Sequence, residues 1–338
     1  MEFLVEYGMF AAKLVTIVVC VAFALIAVIG FTFARSHMGA HDDHIEVKKL
    51  NDKYHNMGLA LKSALMPEKA FKAELKHQKK EQKSARKHKD EQRGNIFVCE
   101  FEGDLKASAV DSLREEVTAI LAVANQDDEV VAVIESPGGT VHGYGLAASQ
   151  LARFKKKNIR LTVAVDKVAA SGGYMMACVA DKIIAAPFAI IGSIGVLAQL
   201  PNFNRLLKKH DIDFEEITAG EYKRTLTMFG ENTDADREKF KEELEDAHDL
   251  FKMFVSEHRP TVDIDKIATG EHWFAKRAKE LNLVDDLITS DDYLFSASES
   301  NDIYQVSYQR KKPLLERIMG GPASLANSVL NFVHRLNS

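Results

Sequence analysis

The chain has 338 residues, 46% of them apolar and 28% charged, and these ordinary globular values argue against a disordered chain or a polytopic membrane protein. Three scattered cysteines, Cys20, Cys99 and Cys178, are too few for a disulfide framework or a zinc site, and we interpret them as small buried apolar residues. The net charge of the whole chain is −5. Residues 35–93 hold 15 Lys and Arg against 9 Asp and Glu, a net of +6, and residues 1–34 carry −1, which leaves −10 for residues 94–338. Such an acidic body argues against nucleic-acid binding.

An uncharged run, Leu14 to Ala34, lies between Lys13 and Arg35. A helix of that length spans a bilayer core of about 30 Å, so we predict an uncleaved transmembrane anchor over residues 1–34. A cleaved signal peptide is the alternative, but its apolar region is only about 7–15 residues and follows a basic start. The start here, Met1 to Glu6, is acidic. Residues 35–93 are predicted to form a basic stalk, and we interpret it as a solvated charged helix or linker. In a second interpretation, its basic side chains contact anionic lipid headgroups.

A shift in composition at Gly94 marks the start of the predicted folded domain, residues 94–310. Apolar runs alternate there with helical patterns, which predicts βαβ units around a central, mainly parallel sheet with flanking helices. Strands are predicted at residues 95–101, 130–135, 161–165 and 182–186, and helices at residues 108–125, 144–156 and 171–180.

The second half of the chain contains 22 uncharged residues between Lys182 and Arg205. Several Pro, Gly and Asn residues interrupt this run, so a second membrane span is disfavoured. Further on, helices are predicted at residues 233–259 and 273–282, and a strand at residues 302–309. Residues 311–338 are predicted to form an amphipathic helix for packing or oligomer contact.

Four motifs carry candidate chemistry: Ser136-Pro-Gly-Gly139, Ala170-Ser-Gly-Gly-Tyr174, Ile191-Gly-Ser-Ile-Gly-Val196 and Gly220-Glu-Tyr-Lys-Arg224. Ser171 precedes two glycines, which let a substrate backbone approach and leave N–H groups free at a helix start. The same residues also suit a plain helix N-cap, and Pro-Gly-Gly suits a plain turn.

Lys223 is a candidate general base, although a solvated surface lysine is the ordinary interpretation of such a position. A lysine acts as a base only when neutral, so its usual pKa of about 10.4 has to fall by roughly 3 units through burial or a neighbouring cation. A Ser-His-Asp triad is disfavoured because Gly-x-Ser-x-Gly is absent and many histidines lie in the stalk. His142, His210 and His272 are among those that lie in the body.

Taken together and in this order, the motifs resemble the signal peptide peptidase A family of membrane serine peptidases, and the short single-module form resembles its SohB branch. The resemblance covers residues 94–288 and includes a weaker match at Gly270-Glu-His-Trp273. It implies a ClpP/crotonase-like fold and a Ser-Lys dyad, with Ser171 as nucleophile, Lys223 as base and Ser193 orienting the lysine. Gly139 and Gly172 then supply the oxyanion N–H groups. Asn282 departs from the glycine usual before Leu-Val-Asp, which affects a local turn only.

We therefore expect a membrane-anchored serine endopeptidase without cofactor or metal. The resemblance further implies a homo-oligomeric ring that acts on signal-peptide remnants or unfolded membrane-protein fragments. A crotonase-like acyl-CoA enzyme and a non-catalytic membrane scaffold remain as alternatives. The resemblance places the body on the periplasmic face of the bacterial inner membrane, whereas basic residues after the predicted anchor favour a cytoplasmic body.

Overall fold

A computed structural model describes residues 43–87, 93–220 and 222–310, together with residues 8, 9, 13, 16, 20 and 21. Within that part of the chain, no helix combines the length and the apolar character that crossing a bilayer requires. The predicted anchor, Leu14 to Ala34, falls almost wholly outside the described residues, and so does the predicted C-terminal amphipathic helix.

The body is a mixed α/β structure built on a central sheet whose described strand pairs are parallel. Near-continuous runs of Val, Ile and Ala form its middle strands, as expected where helices and loops cover both faces. In chain order its strands are β1 His44–Lys49, β2 Asn95–Glu102, β3 Glu129–Glu135, β4 Arg160–Val165, β6 Lys182–Ala185, β9 Asp286–Leu287 and β10 Asp302–Gln309. Across the sheet they lie in the order β1-β10-β2-β3-β4-β6-β9.

A smaller sheet stands at the carboxyl end of β3 and consists of β5 Val168–Ala170, β7 Ile190–Gly192 and β8 His272–Phe274. Strands β5 and β7 are parallel, and β8 runs antiparallel to β7. A bridge between Ser136 and Ala169 joins β5 to the residue after β3. The residues that leave these short strands form the candidate site.

The helices pack on the sheet mainly through α3, α4 and α5, which contact one another in that order. Helix α4 contributes Tyr144, Leu151 and Phe154 to the core, all with no exposed surface. The helices are α1 Leu50–Leu65, α2 Glu68–Lys87, α3 Val110–Val123, α4 Val141–Lys156, α5 Gly172–Ala177, α6 Asn204–Lys209, α7 Asp234–His258, α8 Ile264–Ile267, α9 Ala275–Glu280 and α10 Ser290–Ala297.

The structure matches the predicted strands and helices of residues 95–186 closely and differs from the predictions at residues 44–65 and 273–282. Residues 44–65, expected in the stalk, form an edge strand of the main sheet and helix α1. The helix expected over residues 273–282 begins only at Ala275, because Trp273 belongs to β8 and pairs with Ile191. The uncharged run of residues 183–204 is divided between β6, β7 and a loop and forms no single helix, as its Pro, Gly and Asn residues predict. Cys99 and Cys178 are buried as predicted, whereas Cys20 is exposed.

Candidate active site

Ser171 occupies the sharp turn between β5 and α5. Its backbone has φ 52° and ψ −120°, a region that non-glycine residues rarely enter and that usually indicates functional strain. The Ser171 amide donates a hydrogen bond of 2.7 Å to the Gly192 carbonyl, which fixes this turn to the end of β7. The residue is partly exposed while Gly172 and Gly173 behind it are buried. The serine side chain therefore stands at the surface of a rigid turn.

Two unpaired backbone amides lie in the loops around Ser171. A Cβ built on Gly138 would lie 2.7 Å from Ser171 Cβ and 2.8 Å from Gly172 N, so the loop after β3 abuts the serine turn directly. The Gly138 amide is occupied, because it donates to Ser136 Oγ at 3.1 Å. The amides of Gly139 and Gly172 have no hydrogen-bond partner among the described residues. Two free donors beside a serine can stabilise an oxyanion.

A buried polar cluster lies beneath this loop. The hydroxyls of Ser136 and Tyr144 are 2.5 Å apart, and the Tyr144 hydroxyl donates to the Asp104 carbonyl at 2.8 Å. Both side chains are fully buried. Burial raises the pKa of the Tyr144 hydroxyl, and the hydrogen bond to Ser136 opposes that rise in part. Tyr144 was predicted only as a helical residue, and its apolar surroundings in the sequence gave no signal of this contact.

Ser193 follows β7 as Ser171 follows β5. The pairing of Ala170 with Gly192 places the two serines directly after neighbouring parallel strands, whose backbones are about 4.8 Å apart. The Ser193 amide donates to the Glu271 carbonyl at 2.6 Å. Its neighbour Gly192 has φ +104°, and a Cβ there would lie 2.9 Å from two ring carbons of Trp273. Trp273, the last residue of the weakest motif, thus supports the loop that carries Ser193.

Lys223 lies in the irregular segment between α6 and α7 and is exposed. Its amide donates to the Gly220 carbonyl at 3.2 Å, and the adjacent Arg224 pairs with Glu216 at 3.1 Å. Within the described residues, no hydrogen bond connects Lys223 to Ser171 or Ser193. The structure therefore brings together the two serines and the glycine amides, and it leaves Lys223 outside hydrogen-bond contact with them.

Five histidines lie in the body: His142, His210 and His272 are exposed, and His248 and His258 are half-buried on helix α7. In the part of the chain that the structure describes, none of them is hydrogen-bonded to an acidic side chain. His272 pairs with Gly192 in the small sheet. These positions offer no Ser-His-Asp arrangement around Ser171.

Comparison with known proteins places this geometry in a family. Residues 2–151 match the N-terminal domain of peptidase family S49, and residues 153–303 match peptidase family S49 itself. A probable protease SohB of Haemophilus influenzae is 47% identical over 349 residues, which cover 100% of this chain and 97% of that protein. A second probable protease SohB, of Buchnera aphidicola subsp. Acyrthosiphon pisum, is 60% identical over 222 residues, 66% of each chain. The chain therefore belongs to peptidase family S49, with SohB proteases among its relatives.

Proposed function

We propose that this peptidase is a membrane-anchored serine endopeptidase with Ser171 as its nucleophile and a ClpP/crotonase-like fold. The observation that carries the proposal is the strained, partly exposed turn at Ser171, next to the unpaired amides of Gly139 and Gly172. A nucleophile and two oxyanion donors are what acyl transfer requires of a backbone scaffold. The motif at Lys223 supplies the proposed base, and Ser193 is proposed to orient it.

In the proposed reaction, Ser171 Oγ attacks the scissile carbonyl carbon while the amine of Lys223 takes the hydroxyl proton. The carbonyl oxygen becomes an oxyanion and accepts hydrogen bonds from Gly139 and Gly172. Collapse of the tetrahedral intermediate breaks the C–N bond, and the lysine returns the proton to the leaving amine. A water molecule then attacks the acyl-enzyme and regenerates the serine.

The exposure of Lys223 bears directly on this scheme. A lysine surrounded by water keeps its proton, so something has to cover the side chain before it can act as a base. A bound substrate or a neighbouring copy of the chain would provide that cover. We favour a neighbouring copy in a homo-oligomeric ring, because the stretch of chain around Lys223, residues 197–229, exposes many apolar side chains. The more exposed of these are Leu197, Leu206, Ile212, Ile217 and Tyr222.

The assignment of the nucleophile is tested with a fluorophosphonate probe and a reporter peptide on the full chain in detergent. The probe should form an adduct that mass spectrometry locates at Ser171, and Ser171→Ala should abolish both labelling and hydrolysis. Lys223→Ala should lower hydrolysis about 10²- to 10⁴-fold, the usual contribution of a general base. Lys209→Ala removes another exposed lysine of the same region and should leave the rate unchanged. Labelling that survives Ser171→Ala refutes the assignment.

Subunit mixing tests where the lysine comes from. Ser171→Ala and Lys223→Ala chains are each inactive in the proposal, but a neighbour-supplied lysine restores activity when the two are dissociated and assembled together. No recovery in verified mixed oligomers would assign the lysine to the same chain as the serine.

Membrane attachment and orientation are further parts of the proposal. Residues 14–34 are proposed to anchor the chain in the bacterial inner membrane, with the peptidase body on the periplasmic face, where extended fragments of exported and membrane proteins are available as substrates. Alkaline phosphatase fused after Arg93 should then be active and a cytoplasmic reporter silent. The opposite pattern would place the body in the cytoplasm.

A further inference from the structure

We propose that Ser136 and Tyr144 are positioning residues that set the geometry of the oxyanion donors, an inference that rests on the proposed function of the site. Their hydroxyls form a buried hydrogen-bond chain under the loop that carries Gly138 and Gly139. The inference assigns a role in the reaction to a tyrosine that otherwise belongs to the hydrophobic core.

The direction of every bond in the chain is determined. Asp104 contributes a backbone carbonyl, which only accepts, so the single hydroxyl proton of Tyr144 is used there at 2.8 Å. Ser136 must then donate its own proton to the Tyr144 oxygen at 2.5 Å. This leaves lone pairs on Ser136 Oγ to accept from the Gly138 amide at 3.1 Å. Gly138 is thereby held by its N–H, and the next amide, that of Gly139, is left free for substrate.

Tyr144 contacts both halves of the oxyanion device. Its hydroxyl acts on the Gly138–Gly139 loop through Ser136, while its ring lies against Gly172. A Cβ on Gly172 would be 2.7 Å from Tyr144 Cβ and closer still to the ring. The backbone of Ser136 is fixed as well, because its amide donates to Val168 at 2.8 Å and its carbonyl accepts from Ala170 at 3.0 Å. One side chain thus determines the separation of the two proposed donors.

The hydroxyl of Tyr144 is separable from its role in packing. Phenylalanine fills nearly the same volume, so Tyr144→Phe removes the hydroxyl that accepts from Ser136 and keeps the packing of the core. We expect kcat for a reporter peptide to fall about 10-fold with KM unchanged within about 2-fold, since loosened donors act mainly on the transition state. The inhibition constant of a peptide aldehyde, whose adduct carries an oxyanion, should rise by the same factor.

Tyr293→Phe is the matched control. The Tyr293 hydroxyl donates to Glu129 Oε1 at 2.7 Å. Glu129 is the first residue of β3, and Ser136 follows the last residue of the same strand. Strand β3 separates the two positions by about 20 Å, given 3.3 Å per residue. We expect this variant to lose stability and to keep kcat and the aldehyde affinity within about 2-fold of the parent. Equal effects of the two tyrosine variants on kcat would overturn the proposal.

Two further measurements keep the inference independent of any one variant. Ser136→Ala should reproduce the loss in kcat, and the double variant should lose no more than either single variant, because the residues act through one chain. Hydrogen exchange should show the Gly138 amide protected in the parent and exchanging at least about 10-fold faster in either variant. Unchanged exchange would refute the positioning role even in a protein without measurable hydrolysis. Absence of fluorophosphonate labelling at Ser171 in the parent would instead refute the proposed function alone.

Discussion

A single added methyl group at Gly139 tests whether the loop after β3 is part of the reaction. A Cβ there would lie 2.7 Å from the Leu105 carbonyl carbon, 2.9 Å from Leu105 Cα and closer still to the carbonyl oxygen. Non-bonded carbons sit about 3.5–4.0 Å apart, so the loop has to move by about 1 Å. Leu105 is unable to yield freely, because its carbonyl accepts a hydrogen bond of 2.9 Å from the Thr140 amide. The strain therefore falls on the Gly139 amide.

We expect Gly139→Ala to lower kcat/KM about 100-fold, the usual effect of a 1 Å displacement of a catalytic group. The measurement is steady-state hydrolysis of a reporter peptide, with circular dichroism to confirm the fold. Gly145→Ala is the control: nothing lies within 4 Å of a Cβ there, so activity should be unchanged and the helix stabilised by about 0.5–1 kcal/mol. A folded Gly139→Ala protein with activity within about 3-fold of the parent would refute the role of this amide.

Two predictions concern the rest of the fold. Arg259 is only 7% exposed and donates to both carboxylate oxygens of Asp285, at 2.8 and 2.9 Å. Arg259→Ala should lower the free energy of unfolding, measured by urea denaturation, by about 3–5 kcal/mol, and a loss below about 1 kcal/mol would contradict this. Burial raises the pKa of the Glu116 carboxyl, so the folded state binds this proton more tightly than the unfolded state does. The free energy of unfolding therefore falls as pH rises above about 4.3, the usual pKa of a glutamate in an unfolded chain. Glu116→Gln should therefore be more stable than the parent at pH 7 and not at pH 4 in urea denaturation, and a pH-independent difference in the free energy of unfolding would refute this reasoning.

The middle strands of the main sheet were predictable because burial on both faces requires long apolar runs, as at residues 130–134. The small sheet was not, since β5, β7 and β8 have three residues each, too few for a periodic signal. Strand β1 was missed for another reason. Its sequence, His-Ile-Glu-Val-Lys-Lys, is that of a charged edge strand, and its helix α1 is held by long-range bonds such as Asn51 Nδ2 to the Asn301 carbonyl at 2.9 Å.

Candidate site residues fall into two groups by the same reasoning. Ser171, Gly139 and Gly172 belong to short glycine-rich motifs, and such motifs indicate an unusual backbone conformation from the sequence alone. The contacts of Tyr144 and Trp273 depend on how separate elements pack, and an aromatic residue in a helix or short strand is ordinarily a core residue. Only the fold reveals that Tyr144 bonds Ser136 and that Trp273 covers Gly192.

The proposed nucleophile and the proposed base differ in how the structure holds them. Ser171 is fixed by strand pairing, by the bond to Gly192 and by close glycine contacts, so its geometry is a consequence of the core. Lys223 is exposed on an irregular segment. A base must lose its proton, and exposure to water opposes that loss, whereas oxyanion donors need only be rigid and unpaired. In the proposed mechanism the oxyanion donors are therefore already in place within a single chain, and proton transfer depends on what covers the Lys223 side chain. On this proposal, the isolated chain keeps its nucleophile assembled and stays inactive until substrate or a neighbouring copy covers Lys223.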